Sequence, residues 1–505
     1  MDSPFQQRLH TNYAPTDDEI VSIRAHLVPH RDNLANLQKL IKDLSAQRDR
    51  LKDYVDAHEA LVSPLRRMPH DIVQEIFLAC LPNRNAVMSP IEAPLLLGRV
   101  CSGWRRIALS TPMLWSSLHI HLNFVLSSER RVSAVAEWLA RAAACPLSLS
   151  VVAWRSIPIA DLDLADTLMP VLADSTHRWR CVELLDLPRS CLSIFDRTTA
   201  PMLETIHVKS DEIIYPLHTM LGLSVRRVSL IHPDLGGFTQ TLPLAWNRLT
   251  HLALVNEDAS VRVAPTSVTF ATIRRCPSLI SLQFQMGRTG DGPTLSDEPV
   301  HLPFLRSLAI QTPFLAETSA LHVVMQHLLM PELRRLELPA TLLQQSNAVF
   351  LSPLTTGSPK LESLEVHLAS FTLSSVSTTL RLFPSLCAIQ IHDLHPHWDL
   401  PDPTLEYATA ETLLPLLPDL APSLQEVDIW DGQLDDSSMI MFTKKQQELK
   451  RLNVQVDRFR SQSGRTLEEQ LADMGRELDV SVRYLEPWKG PTPWEGLEEI
   501  GNVPR

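Results

Sequence analysis

The amino-acid sequence predicts an α/β chain. A long N-terminal helix and a small three-helix unit precede an irregular solenoid of short parallel strands with helical returns. Three observations predict it. Apolar residues recur at seven-residue spacing between Leu27 and Val55. Two apolar helical stretches, divided by a polar loop, follow in residues 63–118. From Val182 onward one apolar-x-x-apolar-x-apolar pattern returns eleven times, its copies starting 21 to 38 residues apart.

The totals narrow the function before any motif is read. The chain has 505 residues, with 46 Lys+Arg against 58 Asp+Glu and a formal net charge of −12. A partner held through phosphates needs clustered positive charge, so nucleic acid is not the expected partner. Glycine is scarce at 15 residues, which disfavours phosphate-cradling loops built on positive φ. Seven cysteines (Cys80, Cys101, Cys145, Cys181, Cys191, Cys276 and Cys387) form no C-x-x-C pair. An odd, scattered set predicts reduced thiols, as in intracellular chains. The first residues hold no apolar core of signal-peptide length. No stretch reaches the roughly 18 apolar residues of a membrane helix. The expectation is a soluble protein, cytoplasmic and/or nuclear, with no membrane partner.

Residues 1–17 are polar and expected to be disordered. The next element, 18–62, is helical. Leu27, Leu34, Ile41 and Val55 occupy one heptad position, with Arg48 interrupting, and Leu37, Leu44 and Leu51 occupy a second. Charges such as Lys39, Lys42, Asp43, Asp49 and Lys52 lie off this seam. An a/d seam over about four heptads has two readings: a coiled-coil homodimer through 18–61, or an amphipathic helix packed on the body of the same chain.

In 63–118, Pro69 suits the first turn of a helix, where its missing N–H costs nothing. Ile72, Val73, Ile76, Phe77 and Cys80 follow at helical spacing. Residues 82–94 read as a loop. A second helix is expected from about Pro94, carrying Leu96, Leu97, Val100, Cys101, Trp104 and Ile107. Pro112 ends it, and Leu114-Trp115 begins a new element. These features in this order (Met68-Pro69, Ile76-Phe77, Val100-Cys101 with Trp104, Leu114-Trp115) resemble an F-box of the fungal F-box-like type. Met68 stands where that pattern has leucine, a swap of similar volume. The resemblance implies docking on the Skp-type adaptor of a cullin–RING ubiquitin ligase, with Met68, Pro69, Ile72, Ile76, Phe77 and Trp104 near the contact. A unit of about fifty residues is marginal alone, which agrees with apolar faces meant for a partner's groove. The bland reading makes Phe77 and Trp104 internal core.

The repeats run Val182/Leu185/Leu187, Leu203/Ile206/Val208, Val225/Val228/Leu230, Leu249/Leu252/Leu254 and Leu279/Leu282/Phe284. They continue as Leu305/Leu308/Ile310, Leu333/Leu336/Leu338, Leu361/Leu364/Val366, Leu386/Ile389/Ile391, Leu424/Val427/Ile429 and Leu449/Leu452/Val454. Trp115/Leu118/Ile120 reads as a degenerate earlier copy. This spacing and pattern are the leucine-rich-repeat signature, in which no unit can bury its apolar face alone. The asparagine or cysteine usual after the strand is absent, so irregular repeats are expected over 119–456. Phe314–Met330 reads as the clearest helical return. Thr466 and Glu469 mark a capping box for a closing helix within a cap, 457–485, that ends in the strand Val480–Tyr484. The tail 486–505, with Trp488 and Trp494, is expected to be mobile.

Chemistry is sparse. His392, His395, His397 and Asp399 suggest zinc ligation, but Pro396 splits them, and a polar loop is the plainer reading. No nucleophile elbow, Walker loop or kinase set occurs. The chain is expected to be no enzyme, with no cofactor and no metal. Binding is the expected task, on the outward x positions of the repeats: Arg334, Arg335, Glu337, Glu362, Glu365, Gln390, Asp428 and Trp430. The sequence thus favours a substrate-recognition adaptor for a protein substrate of unknown identity. The alternative is a repeat scaffold that dimerises through the N-terminal helix and binds no ligase.

Overall fold

A computed structural model describes residues 3–62, 64–153, 162–210, 218–231, 242–255, 266–286, 298–311, 316–338, 342–343, 351–357, 360–368, 371–393, 407–430, 436–456, 471 and 478–484. The chain divides into two units, Met1–Ile76 and Phe77–Arg505.

The first unit is dominated by α1, Asp17–Val62, a helix of 46 residues. Its bounds match the heptad pattern, and Pro29 lies within it. None of its residues is buried. The seam residues Leu34, Leu37, Ile41, Leu44, Leu51 and Val55 are exposed. Residues 3–16 carry more local structure than their polarity predicts. A turn at Gln6–Arg8 lets Arg8 pair with Glu19 of the first helical turn. The Thr16 N–H donates to Glu19 at 3.0 Å, and the Tyr13 hydroxyl does so at 2.9 Å. Together these hold the Glu19 carboxyl well below its ordinary value, at about 2.

Helix α2, His70–Ala79, begins where Pro69 predicts, with the Pro69 carbonyl accepting from the Val73 N–H. The expected single helix from Pro94 to Pro112 is instead two: α3, Leu97–Val100, and α4, Ser102–Leu109. The break is at Cys101, whose backbone is extended (φ −158°, ψ 170°). Its thiol accepts the Trp104 N–H at 3.4 Å, satisfying one of the donors orphaned at the start of α4. Leu114 and Trp115 are buried. The Trp115 indole N–H donates to the Ala108 carbonyl at 2.9 Å, and its ring meets Trp138 edge-on at 4.8 Å.

Among the described residues the main sheet of the second unit has fourteen strands, all parallel and in chain order, beside two two-stranded pairs. Strands β1 to β5 are Ser117–His121, Leu147–Val152, Trp179–Leu185, Thr205–Lys209 and Arg227–Ile231. Strands β6 to β9 are His251–Val255, Ser281–Gln285, Ser307–Gln311 and Arg335–Glu337. Strands β10 to β14 are Ser363–His367, Ala388–His392, Glu426–Trp430, Arg451–Val456 and Asp479–Tyr484. An unbroken order with parallel pairs is what stacked repeats produce, each unit bonding only its neighbours. The apolar triplets from Leu203/Ile206/Val208 through Leu449/Leu452/Val454 are all buried. The degenerate copy at Trp115/Leu118/Ile120 supplies β1. Strand β1 runs across 118/119.

The first numbered repeat is shifted: Trp179, Val182 and Leu184 face inward in β3, while Leu185 is half-exposed. The pairs Val182↔Ile206 and Leu184↔Val208 fix this register. A tryptophan stands at the leading position, and the apolar Leu185 mimics the next one. Strand β2 escapes the repeat pattern because Leu147, opposite Trp179, stands two residues before Leu149 instead of three, with Ser148 and Ser150 alternating between the apolar residues. The Phe314–Met330 helix is shorter, Thr318–Gln326, and Leu328-Leu329 instead form a two-residue strand beside Val300-His301. The closing helix lies outside the described residues except Leu471, as do the tail and its tryptophans. The strand at Val480–Tyr484 is present as β14.

The loop 82–94 also does more than connect. Val87 bridges His119 in parallel, and the His119 N–H donates to the Ala86 carbonyl at 2.7 Å. The Asn85 side-chain oxygen accepts from Ser117 Oγ at 2.9 Å and Ser148 Oγ at 2.8 Å. An edge strand with free backbone groups templates unwanted pairing. Here the loop covers the β1 edge.

Candidate functional site

The parallel register builds a polar cluster on the open face of strands β9 to β12. Inward positions hold Leu336, Leu364, Ile389 and Val427, so the alternate residues project the other way. One row is Glu337, Glu365, Gln390 and Asp428, each paired with the next across the sheet. A second row, two residues on, is His367, His392 and Trp430. Neighbouring strands lie about 4.8 Å apart, which suits ring stacking. The His367 and His392 rings stack with centroids 4.4 Å apart and planes at 16°. His392 and Trp430 stack at 5.6 Å and 25°.

Hydrogen bonds tie the two rows together. Glu365 accepts from His392 Nε2 at 2.9 Å on Oε1 and from Arg335 Nη2 at 3.1 Å on Oε2. One end of the Gln390 amide lies 3.3 Å from both Arg335 Nη2 and Glu365 Oε2 and the other faces the Trp430 indole at 3.1 Å; turned with its NH2 towards Glu365, the amide donates there and accepts from Trp430. Asn453 donates to Asp428 at 2.6 Å. Glu365, His367 and His392 each bring one ligand atom to within 4.8 Å of the others.

The cluster's charges are strongly perturbed. Burial pushes the Glu337 carboxyl up, the Glu365 charge pushes it further, and it titrates at about 7. Burial acts on Glu365 in the same sense, but bonds and charges from His392 and Arg335 outweigh it and hold that carboxyl below its ordinary value. Burial, aided by His392, presses His367 down to about 4. Asp428 is raised, chiefly by burial.

Six of the eight residues expected on the binding face therefore meet: Arg335, Glu337, Glu365, Gln390, Asp428 and Trp430. Arg334 and Glu362 do not join them. They lie one residue before their strands and form an exposed ion pair with each other. His367 and His392 were missed as members. The signal was present: stacking the repeats places Glu365-Val366-His367 over Gln390-Ile391-His392 over Asp428-Ile429-Trp430. The zinc suggestion had used His392 with His395, His397 and Asp399, and the last three lie outside the described residues.

The residues implied by the F-box resemblance separate by burial. Pro69 is exposed and Met68 half-buried. On α2, Ile72 and Ile76 are 45% and 38% exposed, one helical turn apart. Phe77 is fully buried, its ring 4.9 Å from the half-buried Trp104. Phe77 is core, as the bland reading has it. Further apolar residues are exposed in the second unit, among them Leu96, Val100, Leu109 and Met113.

No family model matches the chain, and no curated protein matches it. Among solved structures it is similar to a chain of the Rad7–Elc1 complex from yeast, at 12% identity and a TM-score of 0.35, over 75% of this chain and 94% of that one. At that score the two need not share an architecture, and the repeat fold stands on the strand register alone.

Proposed function

We propose that this chain is the substrate-recognition subunit of an SCF-type cullin–RING ubiquitin ligase. Segment 63–118 docks on the Skp-type adaptor as an F-box, and the open face of β9 to β12 receives a protein substrate. The chain itself is not an enzyme: it supplies proximity, and the ligase supplies the chemistry. The reading places it in the cytoplasm and/or nucleus. The observation that carries it is the ordered motif from Met68 to Trp115 together with the solvent-facing Ile72 and Ile76. Both are already more than half covered, so burying the rest contributes about 0.6–1.3 kcal/mol each; a carboxylate in their place adds the larger cost of desolvating a charge.

Co-purification with the Skp-type adaptor tests the reading. Wild type is expected to be retained. Ile72→Asp/Ile76→Asp is expected to lose binding on the order of a hundredfold or more, with an unchanged circular dichroism spectrum. Equal capture of the variant would overturn the reading. So would no wild-type capture by an adaptor that binds another F-box protein.

A second reading has its own observation. The α1 seam is exposed from Leu34 to Val55, as a coiled-coil homodimer requires. In that reading the chain is a repeat scaffold that dimerises through 18–61. Sedimentation measures it directly: a dimer that Leu37→Asp/Leu44→Asp converts to monomer supports the scaffold, and a wild-type monomer at every concentration removes it.

A further inference from the structure

We infer that Glu365, His367 and His392 form a binding site for a divalent transition-metal ion, with Zn2+ as the representative ion. The inference is independent of the ligase reading.

The donor set is one carboxylate and two imidazoles, the combination that suits zinc. The three residues come from two adjacent strands, β10 and β11, whose backbone pairing fixes Glu365↔Gln390 and His367↔His392. Glu365 and His367 are two apart on one strand and so project from the same face. His392 Nε2 already lies 2.9 Å from Glu365 Oε1. Donors about 2.0–2.2 Å from a tetrahedral ion stand roughly 3.3 Å from each other. This pair must open by a few tenths of an ångström, and the His367 ring must turn towards it.

The surroundings resemble the outer shell of a metal site. Glu365 Oε2 is held by Arg335 at 3.1 Å and Gln390 at 3.3 Å, which leaves Oε1 to face the imidazoles. Such partners orient a ligating carboxylate. Two more carboxylates, Glu337 and Asp428, share the row with Glu365, while Arg335 is the cation hydrogen-bonded there. A divalent ion offsets that surplus. Three protein ligands leave a fourth position for water or for a donor from a bound chain, the pattern of open rather than closed zinc sites.

The test uses the full chain, free of any affinity tag, stripped with a chelator and desalted. Zn2+ is titrated by calorimetry and Co2+ by visible absorption. One equivalent is expected to bind, with Co2+ d–d bands, no thiolate charge-transfer band, and displacement by Zn2+. His367→Ala and His392→Ala are each expected to weaken binding about tenfold or more. Glu365→Gln, which keeps the shape, is expected to weaken it too. His177→Ala, at an exposed histidine elsewhere, leaves it unchanged. No binding by wild type would overturn the inference. So would affinity that persists in His367→Ala/His392→Ala, since the ion then sits on scattered side chains. A thiolate band would do the same. Should a histidine variant fail to fold, Glu365→Gln and the wild-type Co2+ spectrum still decide.

Discussion

Two apolar repeats run through this molecule, and they end differently. The seven-residue repeat of α1 leaves Leu34, Leu37, Ile41 and Leu44 exposed. The repeat of about 25 residues in the second unit buries Leu336, Leu364, Ile389 and Val427 almost completely. The leucines are chemically alike. What differs is where the next apolar stripe lies. A strand of the sheet has its neighbour supplied by the same chain one repeat later, in parallel and in register. A heptad seam needs another helix of matching period, and none of α1's own residues is buried. Periodicity thus reports that a surface wants covering, while topology decides whether the chain covers it itself.

That contrast can be broken most sharply by urea denaturation. Phe77→Ala removes a fully buried ring and is expected to cost about 3–5 kcal/mol, and Leu364→Ala in β10 about 2–5 kcal/mol. Leu40→Ala, at an exposed α1 position beside the seam, is expected to stay within about 0.5 kcal/mol. Equal losses at Leu364 and Leu40 would show that α1 is covered within the folded chain after all.

Thiol reactivity gives a second, smaller contrast. Cys276 is buried in a repeat, and burial pushes its thiol up to about 12. Cys191 is likewise buried and raised. Cys80 and Cys101 are exposed. An alkylating reagent at mildly alkaline pH, followed by peptide mass mapping, is expected to label Cys80 and Cys101 readily. Cys276 and Cys191 are expected to react only after unfolding. Rapid labelling of Cys276 in the native protein would contradict its place in the core.

The smallest expected effect is at the start of α1. The Glu19 carboxyl is lowered from 4.5 to about 2 by the Thr16 N–H, Arg8 and the Tyr13 hydroxyl. A depressed carboxyl stabilises fully above its unfolded value and loses that contribution as pH falls through its folded one. The turn at residues 3–16 is therefore expected to release between about pH 4.5 and 2. Glu19→Gln should show the released state already at pH 7, read from Tyr13 chemical shifts. A wild-type signal flat across that range would remove the contact.

Much of this architecture was legible in the sequence, for a physical reason. Leucine at three fixed places per repeat is the demand of a narrow core, so the triplets from Leu203 onward announce their own register. The register is disguised where another residue meets the same demand. Trp179 fills the leading place in β3, and in β2 the register shift after Leu147 shortens the spacing to Leu149 and so disguises the repeat. The Cys101 break was hidden because a thiol is an uncommon helix cap. The binding face was legible in part. Arg335, Glu337 and Glu365 follow from the repeat alone, while His367 lies just beyond Val366, at the place Trp430 holds in its own repeat, where a histidine reads equally well as a solvated side chain. Only parallel stacking brings it onto His392. Nor does the sequence mark the loop at Asn85 as an edge cover, since its partners Ser117 and Ser148 are 32 and 63 residues away.

The most direct test of the central claim is hydrogen exchange on the full chain, alone and with the Skp-type adaptor. The claim is that the repeats complete themselves while the segment around Ile72 and Ile76 awaits another protein. It predicts that β10 to β12 are strongly protected in both samples, and that residues 68–80 and 96–105 gain protection only with the adaptor. Protection gained instead on the repeat strands, or none gained around α2, would contradict it.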